Sequence, residues 1–166
     1  TGMRIPEALK LCPDLILVKG DSDKYLEINK RFLNLLKGYT DKLEVFSIDE
    51  VFLEISQAGP AGSQPQKWLR SQACSRHSLG RPASPSPAFD NETLLDLALN
   101  IKQRIRKEAG EWITCSIGIS YNKMLAKLAG SLYKPDGLVG IFDQQSAQWV
   151  LDRVELDDVC GIGYRI

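Results

Sequence analysis

Apolar positions along the chain change period several times, and each change marks a predicted element. From Arg4 to Cys12, the residues Ile5, Ala8, Leu9 and Cys12 recur at helical spacing. Pro6 falls in the first turn, where its missing N–H breaks no hydrogen bond. Pro13-Asp14 stops that helix, and the run Leu15 to Val18 predicts a short buried strand. Asp21, Ser22 and Asp23 are N-cap candidates for a longer helix. Its stripe is Tyr25, Ile28, Phe32, Leu35, Leu36 and Tyr39, with Gly38 near its end.

Between Val45 and Ser56 the pattern becomes β-like. Phe46, Ile48, Val51, Phe52, Leu53 and Ile55 read as two strands, or one long one, with Asp49-Glu50 at the junction. A helix follows from about Glu92 to Ala109, turning Leu94, Ala98, Ile101 and Ile105 inward. Ile113 to Ile119 predicts a strand, and Asn122 to Leu132 a helix that buries Met124, Leu125, Leu128 and Ala129. The turn Lys134-Pro135-Asp136-Gly137, the strand Leu138 to Phe142 and a short helix Gln145 to Leu151 complete the series. The order is an α+β pattern, and one sheet covered on one face by helices would bury every apolar stripe. Gln57 to Phe89 stands apart, crowded with Gly, Pro, Ser, Gln and Arg. It predicts a flexible insertion, because such a segment cannot bury enough apolar surface to offset its ordering entropy. Trp68-Leu69 is its one candidate anchor.

Composition changes this picture little. The chain has 166 residues, 43% of them apolar and 25% charged, enough for one domain with a core. No run approaches the roughly 18 apolar residues needed to cross a bilayer. Thr1 is no initiator and no leader follows it, so the sequence reads as a soluble excerpt. Lys plus Arg and Asp plus Glu number 21 each, so net charge gives no support for a nucleic-acid partner. Cys12, Cys74, Cys115 and Cys160 are far apart and His77 stands alone, a pattern of reduced thiols rather than a zinc site.

Four stretches could carry chemistry. In Ser47-Ile48-Asp49-Glu50, two adjacent acids interrupt an apolar strand region. Within a regular strand one of them would enter the core unpaired. At a strand end both could share a hard cation such as magnesium, or simply form a solvated turn. Lys134, ahead of a rigid turn, could meet a polyphosphate as a point charge or be an ordinary surface lysine. Asn122-Lys123, with Lys127 one turn later, places positive charge near a helix N-terminus, facing phosphate or solvent. Finally, Gly161-Ile162-Gly163 would let backbone N–H groups approach a phosphate, although a lone G-x-G is also a common turn.

Together these stretches resemble the Y-family (translesion) DNA polymerases. Gly2-Met3, Ala8 and Leu11-Cys12-Pro13 resemble the segment leading out of the fingers. Phe46 to Glu54 resembles the S-I-D-E signature. Cys115 to Ser120, Asn122-Lys123, Leu125 to Ala129 and Lys134 to Gly137 are similar to the G-I-x-x-N-K-x-x-A-K-x-A…K-P-x-G block. Asp158 to Gly163 resembles the start of the thumb's helix-hairpin-helix.

The resemblance implies a ferredoxin-like palm over residues 1–155, of mixed or antiparallel sheet with helices on one face, and the start of a helical thumb over 156–166. It implies a template-directed, error-prone DNA polymerase that uses two Mg2+ ions, primer–template DNA and deoxynucleoside triphosphates. Asp49 and Glu50 would be catalytic and metal-holding, and Lys134 would bind the triphosphate. Gly161, Gly163 and Lys123 would touch DNA. A sliding clamp would be a partner of the full-length protein, no membrane would be involved, and the location would be cytoplasmic, or nuclear in a eukaryote. The family's first catalytic aspartate would lie before Thr1, so the excerpt alone is expected to be weak or inert. Glu54 replaces a frequent aspartate and Cys160 a frequent proline. Two alternatives stay open: a non-catalytic DNA-binding or scaffolding relative, and a nucleotide cyclase with a similar sheet and two metals.

Overall fold

The computed structural model describes residues 3–55 and 89–162. The flexible insertion predicted over 57–89 therefore lies outside the described residues apart from Phe89, as does Gly163. The described elements are α1 (Ile5–Leu11), α2 (Ser22–Leu36), β1 (Leu43–Val45), β2 (Val51–Leu53), α3 (Asn91–Ala109), β3 (Ile117–Ser120), α4 (Lys123–Leu132), β4 (Leu138–Ile141) and α5 (Gln144–Leu151), then a 3-10 turn at Leu156–Asp158. None of the described helices is long and apolar enough to cross a membrane.

Four helices start where a short polar side chain can satisfy a first-turn N–H. Asp21 accepts from Lys24 N at 3.2 Å, Asp90 from Thr93 N at 2.8 Å, Asn122 from Leu125 N at 2.8 Å and Asp143 from Ser146 N at 2.7 Å. Asp21 is thus the cap that α2 uses among the three candidates. The Ser146 side chain also answers the Asp143 backbone, closing a reciprocal capping box at α5.

Two cores result. In the first, Leu35, Leu36 and Tyr39 meet Leu97, Ile101 and Ile105 of α3, with Leu43, Val51, Leu53 and Ile117 packed against them. Tyr39 Oη donates to Asn100 Oδ1 at 2.6 Å, so the one polar tip in this contact is satisfied. In the second core, Leu125, Leu128 and Ala129 of α4 pack on Ile141, Ala147 and Val150, with Val139 at the margin.

The strands form two ladders, and here expectation and structure part. β1 and β2 are antiparallel, and β3 and β4 are parallel, with α4 as the crossover between them. Among the described residues no strand joins the two pairs, so the single sheet expected from the sequence is two two-stranded sheets. Leu15 to Val18, the expected extra strand, joins no ladder among the described residues; Leu15 N donates back to Cys12 O at 3.1 Å instead. Ile16 is 84% and Val18 86% exposed. An apolar run can favour a strand but cannot supply the neighbouring edge that makes one. The helices also do not keep to one face. Ile117 of the parallel pair joins the first core, whereas Val139 and Ile141 join the second, so both faces are covered. The strand expected from Ile113 begins only at Ile117, and Met124, expected inside, is 45% exposed.

One contact sets the height of α4 over the parallel pair. A Cβ placed on Gly118 of β3 would lie 2.0 Å from Ala126 O and 2.3 Å from Gly130 N, so the helix backbone rests directly on the strand. Gly118→Ala must push α4 away from β3. We expect a loss of roughly 1–3 kcal/mol, as in overpacked cores, measured by chemical denaturation of the chain.

Candidate active site

The loop between β1 and β2 is closed by its own backbone. Phe46 N and Ser47 N both donate to Glu50 O, at 3.0 and 3.1 Å. Asn29 of α2 donates from Nδ2 to Ile48 O at 2.6 Å, tying the loop tip to the first layer of helices. The two acids therefore sit at a strand junction, which resolves the conflict they pose inside a continuous strand. Asp49 is exposed and accepts on Oδ1 from Ser47 Oγ at 2.6 Å. Glu50 is half-buried and accepts on Oε2 from Lys127 Nζ at 2.6 Å. Among the described residues the other oxygens, Asp49 Oδ2 and Glu50 Oε1, accept no hydrogen bond. Each acid thus has one oxygen committed to the protein and one open.

The hairpin register separates two faces. Leu43, Val51 and Leu53 turn to the first core. Glu44 stands opposite Phe52 on the outer face, and the Phe46 ring meets Phe52 edge-on at 5.7 Å and 78°. The lysines of α4 lie over this outer face. Lys123 pairs with Glu44 and its Nζ is 6.0 Å from the Phe52 ring centre. One turn later, Lys127 pairs with Glu50 and stands 3.9 Å from the Phe46 ring centre. Asn122, grouped with them in the sequence, is the helix cap.

The Lys134–Gly137 turn is held from below by a residue the sequence did not single out. Lys102 of α3, its side chain only 11% exposed, donates to Cys115 O at 2.6 Å, Asp136 O at 2.8 Å and Asp136 Oδ1 at 2.6 Å, with Gly137 O at 3.3 Å. Arg106 takes the second Asp136 oxygen. Asp136 has φ +63°, a left-handed conformation that aspartate and asparagine tolerate better than most residues. The Lys102 hydrogen bond, with desolvation opposing and both cations assisting, holds the Asp136 carboxyl below the usual range. Gly137 is required at close quarters, since a Cβ there would meet Tyr133 O at 2.1 Å. Lys102 could have been noticed: it lies one turn beyond Ala98 and beside Ile101, on the margin of the buried stripe. Lys134 itself is exposed. No ion pair or hydrogen bond among the described residues joins it to Asp49 or Glu50. Gly161 takes φ +95°, a left-handed conformation that glycine adopts without steric cost.

These placements can be set beside known proteins. The impB/mucB/samB family profile matches residues 1–131. The chain belongs to the impB/mucB/samB family. DNA polymerase IV of Staphylococcus aureus strain JH9 is 32% identical over 165 residues, covering 98% of this chain and 37% of that relative. A solved DinB family error-prone DNA polymerase from Sulfolobus solfataricus superposes with TM-score 0.71 at 29% identity, covering 99% of this chain and 40% of that one. An insertion ternary complex of Dbh DNA polymerase gives TM-score 0.70 at 29% identity, over 98% of this chain and 38% of that one. The Y-family resemblance read from the motifs is thereby borne out, and so is the α+β fold. The chain spans about two-fifths of the length of these relatives.

Among the described residues of this family member, no group of three or more His, Cys, Asp or Glu side chains is placed to hold a metal. The Lys102 anchor can be tested by stability. Lys102→Met takes the donor from Cys115 O and Asp136 O and one of two from Gly137 O and the Asp136 carboxylate, and we expect a loss of about 2 kcal/mol, limited by Ile117 N remaining on Gly137 O and Arg106 on Asp136. Asp136→Asn keeps the backbone conformation but removes the charge. Because the folded carboxyl titrates below its unfolded value, its contribution is present above about pH 4 and is lost as pH falls through the folded pKa. The stability difference between the native chain and Asp136→Asn should therefore be constant near neutrality and shrink in acid, measured by thermal melts across pH.

Proposed function

We propose that this chain is the palm portion of a template-directed DNA polymerase of the error-prone translesion type, which transfers nucleotidyl groups to a primer 3′ end. The observation that carries the reading is the β1–β2 loop, which presents two adjacent carboxylates, each with one open oxygen, within a family whose named relatives are DNA polymerases. That donor set fits magnesium, which takes one or two carboxylates and fills its remaining positions with phosphate and water oxygens. When bound, magnesium supplies charge neutralisation on the phosphates and a more acidic primer hydroxyl; two such ions belong to the proposal.

The chain's own residues have distinct parts in this reading. Asp49 and Glu50 hold the ions, and the Ser47 and Lys127 contacts fix the direction of each carboxylate. Lys134 meets the triphosphate of the incoming nucleotide, presented by a turn that Lys102 and Asp136 keep in shape. In this reading Gly161 and Gly163 approach the DNA backbone through their N–H groups, and Lys123 is a further DNA contact. Residues 1–155 form a ferredoxin-like palm, and 156–166 open the thumb. Primer–template DNA and deoxynucleoside triphosphates are the substrates, a sliding clamp is a partner of the full-length protein, and a cytoplasmic location belongs to the same proposal.

Incorporation of one nucleotide on undamaged template by the full-length protein tests this. Asp49→Ala should bring turnover to background while primer–template binding survives. Lys134→Ala should raise KM for nucleotide and lower kcat, together by roughly 100-fold or more in kcat/KM. A scaffolding relative would show no turnover to lose, and an unchanged Lys134→Ala would make that lysine a turn residue only.

A further inference from the structure

Two lysine–glutamate pairs connect α4 to the hairpin, and they are not equivalent. Lys123–Glu44 is open to solvent, with side chains 62% and 56% exposed. Lys127–Glu50 is shielded, at 24% and 37%. An exposed pair contributes little, whereas screening weakens as water is excluded. The stronger pair is therefore the one that includes the candidate metal-holding acid. Its ammonium has little freedom to move away. Lys127 is held 3.9 Å from the Phe46 ring centre, and α4 cannot shift inward because its backbone already touches β3 at Gly118. Glu50 Oε2 is thereby committed to a fixed positive charge, and Oε1 is left as its open oxygen.

The geometry points to Lys127 as a positioning residue that acts through Glu50: a resident counter-cation that aims the carboxylate and shares it with a divalent ion. This rests on the reading of Asp49 and Glu50 as metal-holding residues. Two opposed effects follow from one charge. A fixed ammonium on the same carboxylate repels an arriving dication, so it weakens metal binding. The same contact fixes the carboxylate direction, so it favours the productive arrangement. Removing the charge should then separate affinity from turnover: the ion binds more tightly and the reaction slows. Loss of a merely structural contact would not tighten metal binding.

The test uses the full-length protein on primer–template DNA, with Mn2+ as the probe. Free Mn2+ is counted by its electron paramagnetic resonance signal, and kcat is measured separately. Lys127→Met and Lys127→Gln should each lower the Mn2+ Kd by at least about threefold, while kcat falls. Lys127→Arg keeps the charge and should restore both toward the native values. Two neutral variants are used so that a folding defect in one, seen in its thermal melt, leaves the other to decide. A Mn2+ Kd that is unchanged or weaker in the folded neutral variants overturns the assignment to Lys127. Asp49→Ala and Glu50→Gln serve as the separate control. If neither weakens Mn2+ binding, the metal-holding reading fails and this inference fails with it. If both weaken it while the Lys127 variants do not tighten it, only the inference on Lys127 falls.

Discussion

The rest of the described structure depends on how closely α4 can lie against β3. Glycine at position 118 lets the helix backbone meet the strand backbone with no side chain between them. That contact brings Leu125, Leu128 and Ala129 down onto Ile141 and closes the second core. It also fixes how far the opposite side of α4 stands from the β1–β2 hairpin. Lysine side chains starting from that side reach Glu44 and Glu50, across 79 and 77 residues of sequence, because the helix is seated low.

Much of the fold is legible in the sequence because four of its five described helices carry both an apolar stripe and a cap, although the sequence reading names cap candidates only for α2. Asp21, Asp90, Asn122 and Asp143 each stand where the apolar period begins, and each accepts from a first-turn N–H. The hairpin was legible in part. The adjacent acids mark the junction, and of the two readings left open, two strands rather than one long one are present. The first strand is Leu43–Val45, however, so Phe46 and Ile48, read as strand residues, fall in the loop. Leu15 to Val18 is a different case. Four apolar residues in a row carry no information about whether a partner edge is available, and among the described residues they join no strand ladder.

The candidate site was legible by residue type but not by connection. Asp49, Glu50 and Lys134 could be named from pattern and resemblance. That Lys127 belongs to Glu50 and Lys123 to Glu44 could not, because an ion pair between distant residues is decided by packing rather than spacing. Lys102 is the clearest omission. A lysine on a helix is read as solvated by default. Here its long stem passes beside the buried stripe to reach three acceptors just before β4 and one just before β3. The positioning of the K-P-x-G turn is thus written on a different helix from the turn itself.

Among the described residues the two cores lie on opposite faces of the β3–β4 pair, with Ile117 serving one side and Val139 and Ile141 the other. Side chains that share no partner and are separated by a sheet do not sense each other's repacking. A truncation at Leu97 and another at Leu128 should therefore have stability costs that add to within about 0.5 kcal/mol. Pairs inside one core, such as Leu97 with Ile101, should depart from additivity. Sequence change in one core can then accumulate without compensating change in the other, except at Gly118 and at the pairs Lys123–Glu44, Lys127–Glu50 and Lys102–Asp136, which link the two halves.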